Sequence, residues 1–252
     1  MTKKVVWITG ATGGLGKSLS IKFSKENWNV AATGRKIKTL KKLEKISDNI
    51  MGFYLDINDS RKCSETFDKI IKELGKIDLC IFCAGVQNSV MDKTFNIKNI
   101  EKTFNTNFMG TMNTINCVYR YFKKRKKGHI SIVTSFAGYM GFPNMGSYGA
   151  SKAALINFSE SLYFDLEKHN VKVTIISPGF IKTSMIKKNK ISRPMIMTPE
   201  IAANRIYHKL IKSGKFEIYF PKTLILFAKF LKIAPYWLSF KLIKIINIFM
   251  KG

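Results

Sequence analysis

Short, continuously apolar runs rich in β-branched residues recur along the chain, at 5–9, 28–33, 51–55, 77–83, 129–134 and 171–177, with a last one at 216–220. A strand that is apolar at every position is buried on both faces, as in a parallel sheet covered by helices. The stretches between supply those helices. Leu15, Leu19 and Phe23 recur four apart, Phe67, Ile70 and Ile71 share a face, and Leu155, Phe158, Leu162 and Leu166 form one stripe. Residues 104–122 read as a longer helix. Alternating strand and helix imposes right-handed crossovers and predicts a doubly wound α/β sheet. Thr198-Pro199-Glu200 starts a further helix, with a capping hydroxyl, a proline in the first turn and an early acid. No repeat or linker breaks the pattern, so residues 1–221 read as a single domain and 222–252 as a tail.

At 252 residues and 46% hydrophobic content, the chain can bury a sizeable core and is too apolar to be disordered. Charge is the outlier: 43 Lys+Arg against 16 Asp+Glu give a formal +27. Such a field attracts nucleic acid, anionic lipid or a phosphorylated cofactor. For most of the lysines, a compositional bias scattered over solvated faces is an equal explanation. Lys123-Lys124-Arg125-Lys126-Lys127 ends a helix, where cations complement the dipole, and no aromatic–basic interleaving accompanies it. Nucleic acid is not expected as a partner. Cys80 and Cys83 form a C-x-x-C in an apolar strand, whose alternate side chains face opposite ways, so no metal is expected there. With Cys63 and Cys117 they read as small core residues of a reduced, cytoplasmic chain. The N-terminal residues enter a strand at once, unlike a signal peptide, and no run of about 18 apolar residues predicts a membrane span.

The first strand runs into Thr9-Gly10-Ala11-Thr12-Gly13-Gly14-Leu15-Gly16 and then a helix. A diphosphate needs such a turn, because glycines let the backbone approach and the free N–H groups of the helix start face the anion. A tight turn with nothing bound remains the alternative for the glycines alone. The second strand ends Ala32-Thr33-Gly34-Arg35-Lys36. An NAD site usually carries an acid there for the ribose 2′-hydroxyl, whereas Arg35 suits a 2′-phosphate, which predicts NADP(H) over NAD(H). Tyr148 and Lys152, four apart in Tyr148-Gly149-Ala150-Ser151-Lys152, share a helix face. A neighbouring ammonium favours the phenolate and tunes Tyr148 for proton exchange with an alcohol or carbonyl. Ser135 lies at the carboxyl end of the fifth strand, the edge where open α/β sheets bind ligands.

With these motifs the sequence resembles the short-chain dehydrogenase/reductase family over about residues 3–221. The matches are the glycine turn, Asp56 after the third strand, Ala84-Gly85 after the fourth, Asn107, Ser135, Tyr148-x-x-x-Lys152, and Pro178-Gly179 with Thr183. The resemblance implies a Rossmann-type, seven-stranded parallel sheet and a nicotinamide cofactor. It implies Tyr148 as acid/base, Ser135 on the substrate oxygen, Lys152 on the nicotinamide ribose, and Asn107 anchoring a water that relays protons to Lys152. Cofactor contacts would come from Gly10, Thr12, Gly13, Gly14, Leu15 and Gly16 in the turn, and from Arg35. Asp56 and Ile57 would meet adenine, with Ala84 and Gly85 close by. Gly179, Ile181 and Thr183, after Pro178, would line the nicotinamide side. The chain departs from the family at Phe82-Cys83-Ala84-Gly85, where Cys83 replaces an asparagine that normally hydrogen-bonds the central sheet. A homodimer or homotetramer is implied by the same resemblance. The reaction expected is reduction of a ketone or aldehyde, or its reverse. A non-catalytic nucleotide sensor or membrane adaptor on the same fold is the alternative.

From residue 222 to the end there are six lysines and no acid. Pro235 divides this segment into two helical pieces. Residues 236–250 would reach about 22 Å against about 30 Å of hydrocarbon, and two central lysines oppose insertion, so spanning is not expected. Lying in the headgroup layer of an anionic membrane, with Tyr236 and Trp237 at the boundary, is the favoured reading over packing on the chain's own domain or a sister subunit. A lipophilic substrate would follow. Met185, Ile186, Met195, Ile196 and Met197 make residues 183–197 an apolar, adaptable lid over the cleft in this reading.

Overall fold

The strands of the computed structural model are β1 (Val5–Thr9), β2 (Asn29–Gly34), β3 (Ile50–Tyr54), β4 (Leu79–Phe82), β5 (Gly128–Val133), β6 (Val171–Pro178) and β7 (Glu217–Phe220). Residues 2–87, 95–183 and 195–251 are described. All seven strands pair in parallel, in the order β3-β2-β1-β4-β5-β6-β7. The order reverses between β1 and β4. Ligands of open α/β sheets settle at such a switch point, beyond the carboxyl ends of the strands.

Each central strand feeds two cores. On β1, Val6 and Ile8 point to one face and Trp7 to the other, as a period of two requires. The first face is covered by α1 (Gly14–Lys25), α2 (Ile37–Glu44) and α7 (Pro199–Lys212), through Leu19, Phe23, Leu40, Leu43 and Ile206. The second is covered by α3 (Ser60–Leu74), α5 (Gly110–Arg125) and α6 (Gly146–Glu167), through Ile70, Val118, Phe122, Leu155 and Leu162. Cys80 lies in the second core and Cys83 packs against the first, so the two thiols point to opposite faces.

Local chemistry fixes several helix starts. Asp59 accepts a hydrogen bond from the Lys62 N–H, Asn96 from Asn99, and Thr198 from Ile201, the last being the start expected from the sequence. The long helix expected over 104–122 is instead α4 (Ile97–Phe104), a π-helical turn Asn105–Met109, and α5. Helix α2 was not apparent in the sequence, because only Leu40 and Leu43 of its eight residues are buried. Arg125 in the basic run is structural: it donates to the Ile77 carbonyl and the Tyr121 hydroxyl and sits 3.8 Å from Asp78.

The tail forms α8 (Lys222–Ile233) and α9 (Tyr236–Lys251), with Pro235 at the break. Ile225, Ala228 and Leu231 of α8 are fully buried against the domain. Packing on its own domain, the less favoured alternative in the sequence, is therefore what one face of the tail does. Among the described residues, no helix is long and apolar enough to cross a membrane.

Candidate active site

The cleft forms where β1 and β4 part. Thr9 at the end of β1 holds the two halves together, its hydroxyl oxygen accepting from the backbone N–H of Cys83 (3.1 Å) and Ala84 (3.2 Å). Gly10 adopts φ +69°, and a Cβ there would lie 2.7 Å from the Ala84 Cα. A Cβ on Gly16 would lie 2.3 Å from the Gly10 carbonyl oxygen, so the turn closes on itself only with glycine at both places. Helix α1 then begins at Gly14 with no side-chain cap, leaving the amides of its first turn available to an anion.

A cavity of about 390 Å³ opens from this turn and runs across the carboxyl edge of the sheet. Its walls take in Gly10, Thr12, Gly13, Gly14, Leu15 and Gly16 of the turn, then Arg35 after β2, Asp56 and Ile57 after β3, and Ala84 and Gly85 after β4. Ser135, Tyr148 and Lys152 line it too, with Pro178, Gly179, Ile181 and Thr183 after β6. Every one of these positions was anticipated from the sequence. Arg35 stands 3.6 Å from the Asp56 carboxylate, and Lys36 joins it in the wall. Thr183 folds back over the turn so closely that a Cβ on Gly14 would meet its methyl at 2.6 Å.

Asn107 is the exception. It sits in the π-helical turn, fully buried, and does not reach the cavity wall. Its Oδ1 accepts from the Val86 N–H (2.7 Å), while its Nδ2 donates to the Val86 carbonyl (2.9 Å) and the Ser151 hydroxyl (3.0 Å). Ser151 in turn donates to the Tyr148 carbonyl. Asn107 thus ties the segment after β4 to the start of α6 from behind. The π turn is the local distortion that aims it there.

Tyr148 and Lys152 lie one turn apart on α6. The Lys152 Nζ donates to the Val133 carbonyl at 2.8 Å and stands 5.9 Å from the centre of the Tyr148 ring. Burial pulls the Lys152 ammonium down to about 8. The sequence-based expectation of a depressed Tyr148 is not met: burial pushes the phenol up, although a hydrogen bond with Ser135 pulls it the other way. Ser135 follows β5 by two residues and caps a single 3₁₀ turn, its hydroxyl oxygen accepting from the Ala137 N–H. Burial also pushes the Cys83 thiol up to about 12, so it stays protonated at neutral pH and offers no replacement for an asparagine amide.

Sequence reasoning missed the apolar wall beside Tyr148. Phe136, Phe180 and Ile225 form a buried cluster with Tyr139, Phe142, Met145, Tyr219 and Leu224 against it. Three segments far apart in sequence meet there, and no local pattern announces the meeting. Of the expected lid, Met185 and Ile186 lie outside the described residues. Met195 and Ile196 are exposed, and Met197 packs into the core while exchanging backbone hydrogen bonds with Phe180 and Lys182.

A parallel sheet with a glycine turn at its switch point, and a serine, tyrosine and lysine lining the same cavity, defines a doubly wound oxidoreductase of the nicotinamide-dependent type. The family model "short chain dehydrogenase" matches residues 4–193, and the chain belongs to that family. Among curated relatives it is 31% identical over 215 residues to the 3-oxoacyl-[acyl-carrier-protein] reductase FabG of Buchnera aphidicola subsp. Schizaphis graminum, covering 81% of this chain and 88% of the relative. It is 30% identical over 192 residues to the 3-ketodihydrosphingosine reductase of Bacteroides thetaiotaomicron, covering 76% and 69%. Among solved structures it resembles ElxO with NADP bound, at a TM-score of 0.78 and 26% identity, over 86% of this chain and 96% of the other. The relatives' names vary in substrate and include both reductases and dehydrogenases.

Proposed function

We propose that the chain reduces a lipophilic ketone or aldehyde to an alcohol with NADPH, or runs the reverse oxidation with the same groups. One observation carries this reading: Ser135, Tyr148 and Lys152 line the same cavity as the glycine turn. The residues present fit a nicotinamide dinucleotide. The diphosphate would lie against the first-turn amides of α1, and Arg35 and Lys36 would receive a 2′-phosphate where an NAD site carries an acid. When bound, the cofactor supplies hydride to the carbonyl carbon.

The chain's own groups handle the oxygen. The Tyr148 hydroxyl gives its proton to the developing alkoxide, and the Ser135 hydroxyl donates a hydrogen bond to the same atom. A raised phenol suits this direction, since it stays protonated until negative charge builds on the substrate. Lys152, in reach of the Val133 carbonyl, would hold the nicotinamide ribose. Asn107 acts as a positioning residue behind Tyr148 in this scheme.

The apolar wall around Phe136 and Phe180 favours a greasy substrate, and two relatives are named as reductases of a 3-oxoacyl group on acyl-carrier protein and of 3-ketodihydrosphingosine. A 3-keto function on a fatty chain is the substrate class we favour. Association with a membrane surface, from the cytoplasmic side, belongs to the same reading. The test is NADPH-coupled reduction of a ketone panel. Tyr148→Phe should lose about 10²–10⁴ in kcat with nucleotide binding retained. Near wild-type turnover would overturn the assignment. Arg35→Ala should raise the KM for NADPH by roughly tenfold or more and leave NADH unaffected, since a paired guanidinium–phosphate contact contributes about 1.5–3 kcal/mol.

A further inference from the structure

One face of α8 is buried, and the opposite face is not covered. Leu226, Phe230 and Ile233 fall at i, i+4 and i+7 on that open face, and Ile233 is 86% exposed. The strip continues around Pro235 into α9 as Tyr236, Trp237 and Phe240, with Trp237 72% exposed and the Tyr236 and Phe240 rings 5.5 Å apart. Exposed lysines flank it: Lys222 and Lys232 on α8, Lys241 and Lys244 on α9. Surfaces of single chains rarely gather large apolar side chains in this way unless something docks on them.

The two helices are held as one piece. The Ser239 hydroxyl donates to the Leu231 (2.7 Å) and Ala234 (3.3 Å) carbonyls, satisfying groups that the end of α8 leaves open. Ile243 packs with Leu231 and Met140, and Lys229 pairs with Glu217 of β7. The start of α8 packs against a residue that lines the cleft. Leu224 lies so near Gly179 that a Cβ there would meet it at 2.9 Å, and the Thr223 hydroxyl donates to the Met195 sulfur.

We propose that the open face of α8 and α9 docks on an anionic lipid surface and thereby sets the mouth of the cleft against the bilayer. Docking stands on this face alone; only the delivery of a lipophilic carbonyl rests on the function proposed above. Aromatic side chains amid lysines are the pattern of a helix lying in the headgroup layer. A second copy of the chain is the other candidate occupant. A two-fold contact would bring two lysine-rich segments without a single acid face to face, whereas anionic headgroups neutralise them.

The test uses the full chain and vesicles of phosphatidylcholine alone or mixed with phosphatidylglycerol. Trp7 and Trp28 are buried, so a vesicle-dependent blue shift of tryptophan emission reports Trp237. Wild type should float with the anionic vesicles and release as salt rises. Phe230→Ser/Trp237→Ser/Phe240→Ser should bind roughly tenfold more weakly or less, and Lys232→Gln/Lys241→Gln/Lys244→Gln should lose the preference for phosphatidylglycerol. Absence of wild-type binding, serine-variant binding equal to wild type, or a dimer that the serine variant splits would each overturn the proposal. Reduction of a water-soluble ketone without vesicles should be the same in wild type and both variants. Vesicle binding by a chain that reduces no ketone would sink the enzymatic reading and leave docking intact.

Discussion

Lys152 shows how a residue's surroundings override its type. It is 4% exposed, and burial brings its ammonium to about 8, against about 10.4 in an unfolded chain. A folded value below the unfolded one means that the unfolded chain holds more protons between about pH 8 and 10.4, so stability rises with pH across that window. Urea unfolding without nucleotide should show the difference between wild type and Lys152→Met moving in favour of wild type by about 1 kcal/mol from pH 8 to 9. A pH-independent difference would mean that the ammonium is not perturbed. The same burial explains Tyr148. Desolvation of the phenol outweighs the hydrogen bond from Ser135 that favours its phenolate, while the Lys152 ammonium is turned to the Val133 carbonyl, 5.9 Å from the centre of the ring. Spacing showed that the two residues share a face; it could not show which effect wins there.

Among elements, the most informative are those whose role lies beyond their own sequence. The π turn at Asn105–Met109 reads as ordinary helix, since its spacing of apolar residues is unbroken, and only the hydrogen bonds of Asn107 to Val86 and Ser151 reveal its purpose. Helix α8 carries apolar residues on two opposite faces, so its sequence suits either lipid or core. The structure assigns Ile225, Ala228 and Leu231 to the core. Burial of Ile225 and Leu231 alone contributes about 3–6 kcal/mol, a large part of the 5–15 typical of a domain. Deleting residues 222–252 should therefore lower the urea midpoint and abolish turnover of even a soluble ketone, because Phe136 and Phe180 lose their cover. A truncated chain with wild-type midpoint and turnover would show that the tail contributes nothing to the domain. The serine variant of the open face should keep both, which separates the tail's structural face from its docking face.

For the molecule as a whole, charge and topology act on different questions. The formal +27 biases the chain toward anionic partners without shaping the sheet, whereas the strand order places the segments that line the cavity at one edge. The sequence by itself determined the strand–helix alternation, the parallel sheet, the glycine turn and the Ser135–Tyr148–Lys152 set, because period, turn chemistry and i,i+4 spacing are local properties. Only the tertiary structure decided that Asn107 stands behind the cavity wall, that α8 packs against Phe136 and Phe180 of that wall, and that Tyr148 is raised rather than lowered. Those outcomes depend on desolvation and on which distant segments converge, and both are set by packing across the sheet rather than by any stretch of neighbouring residues.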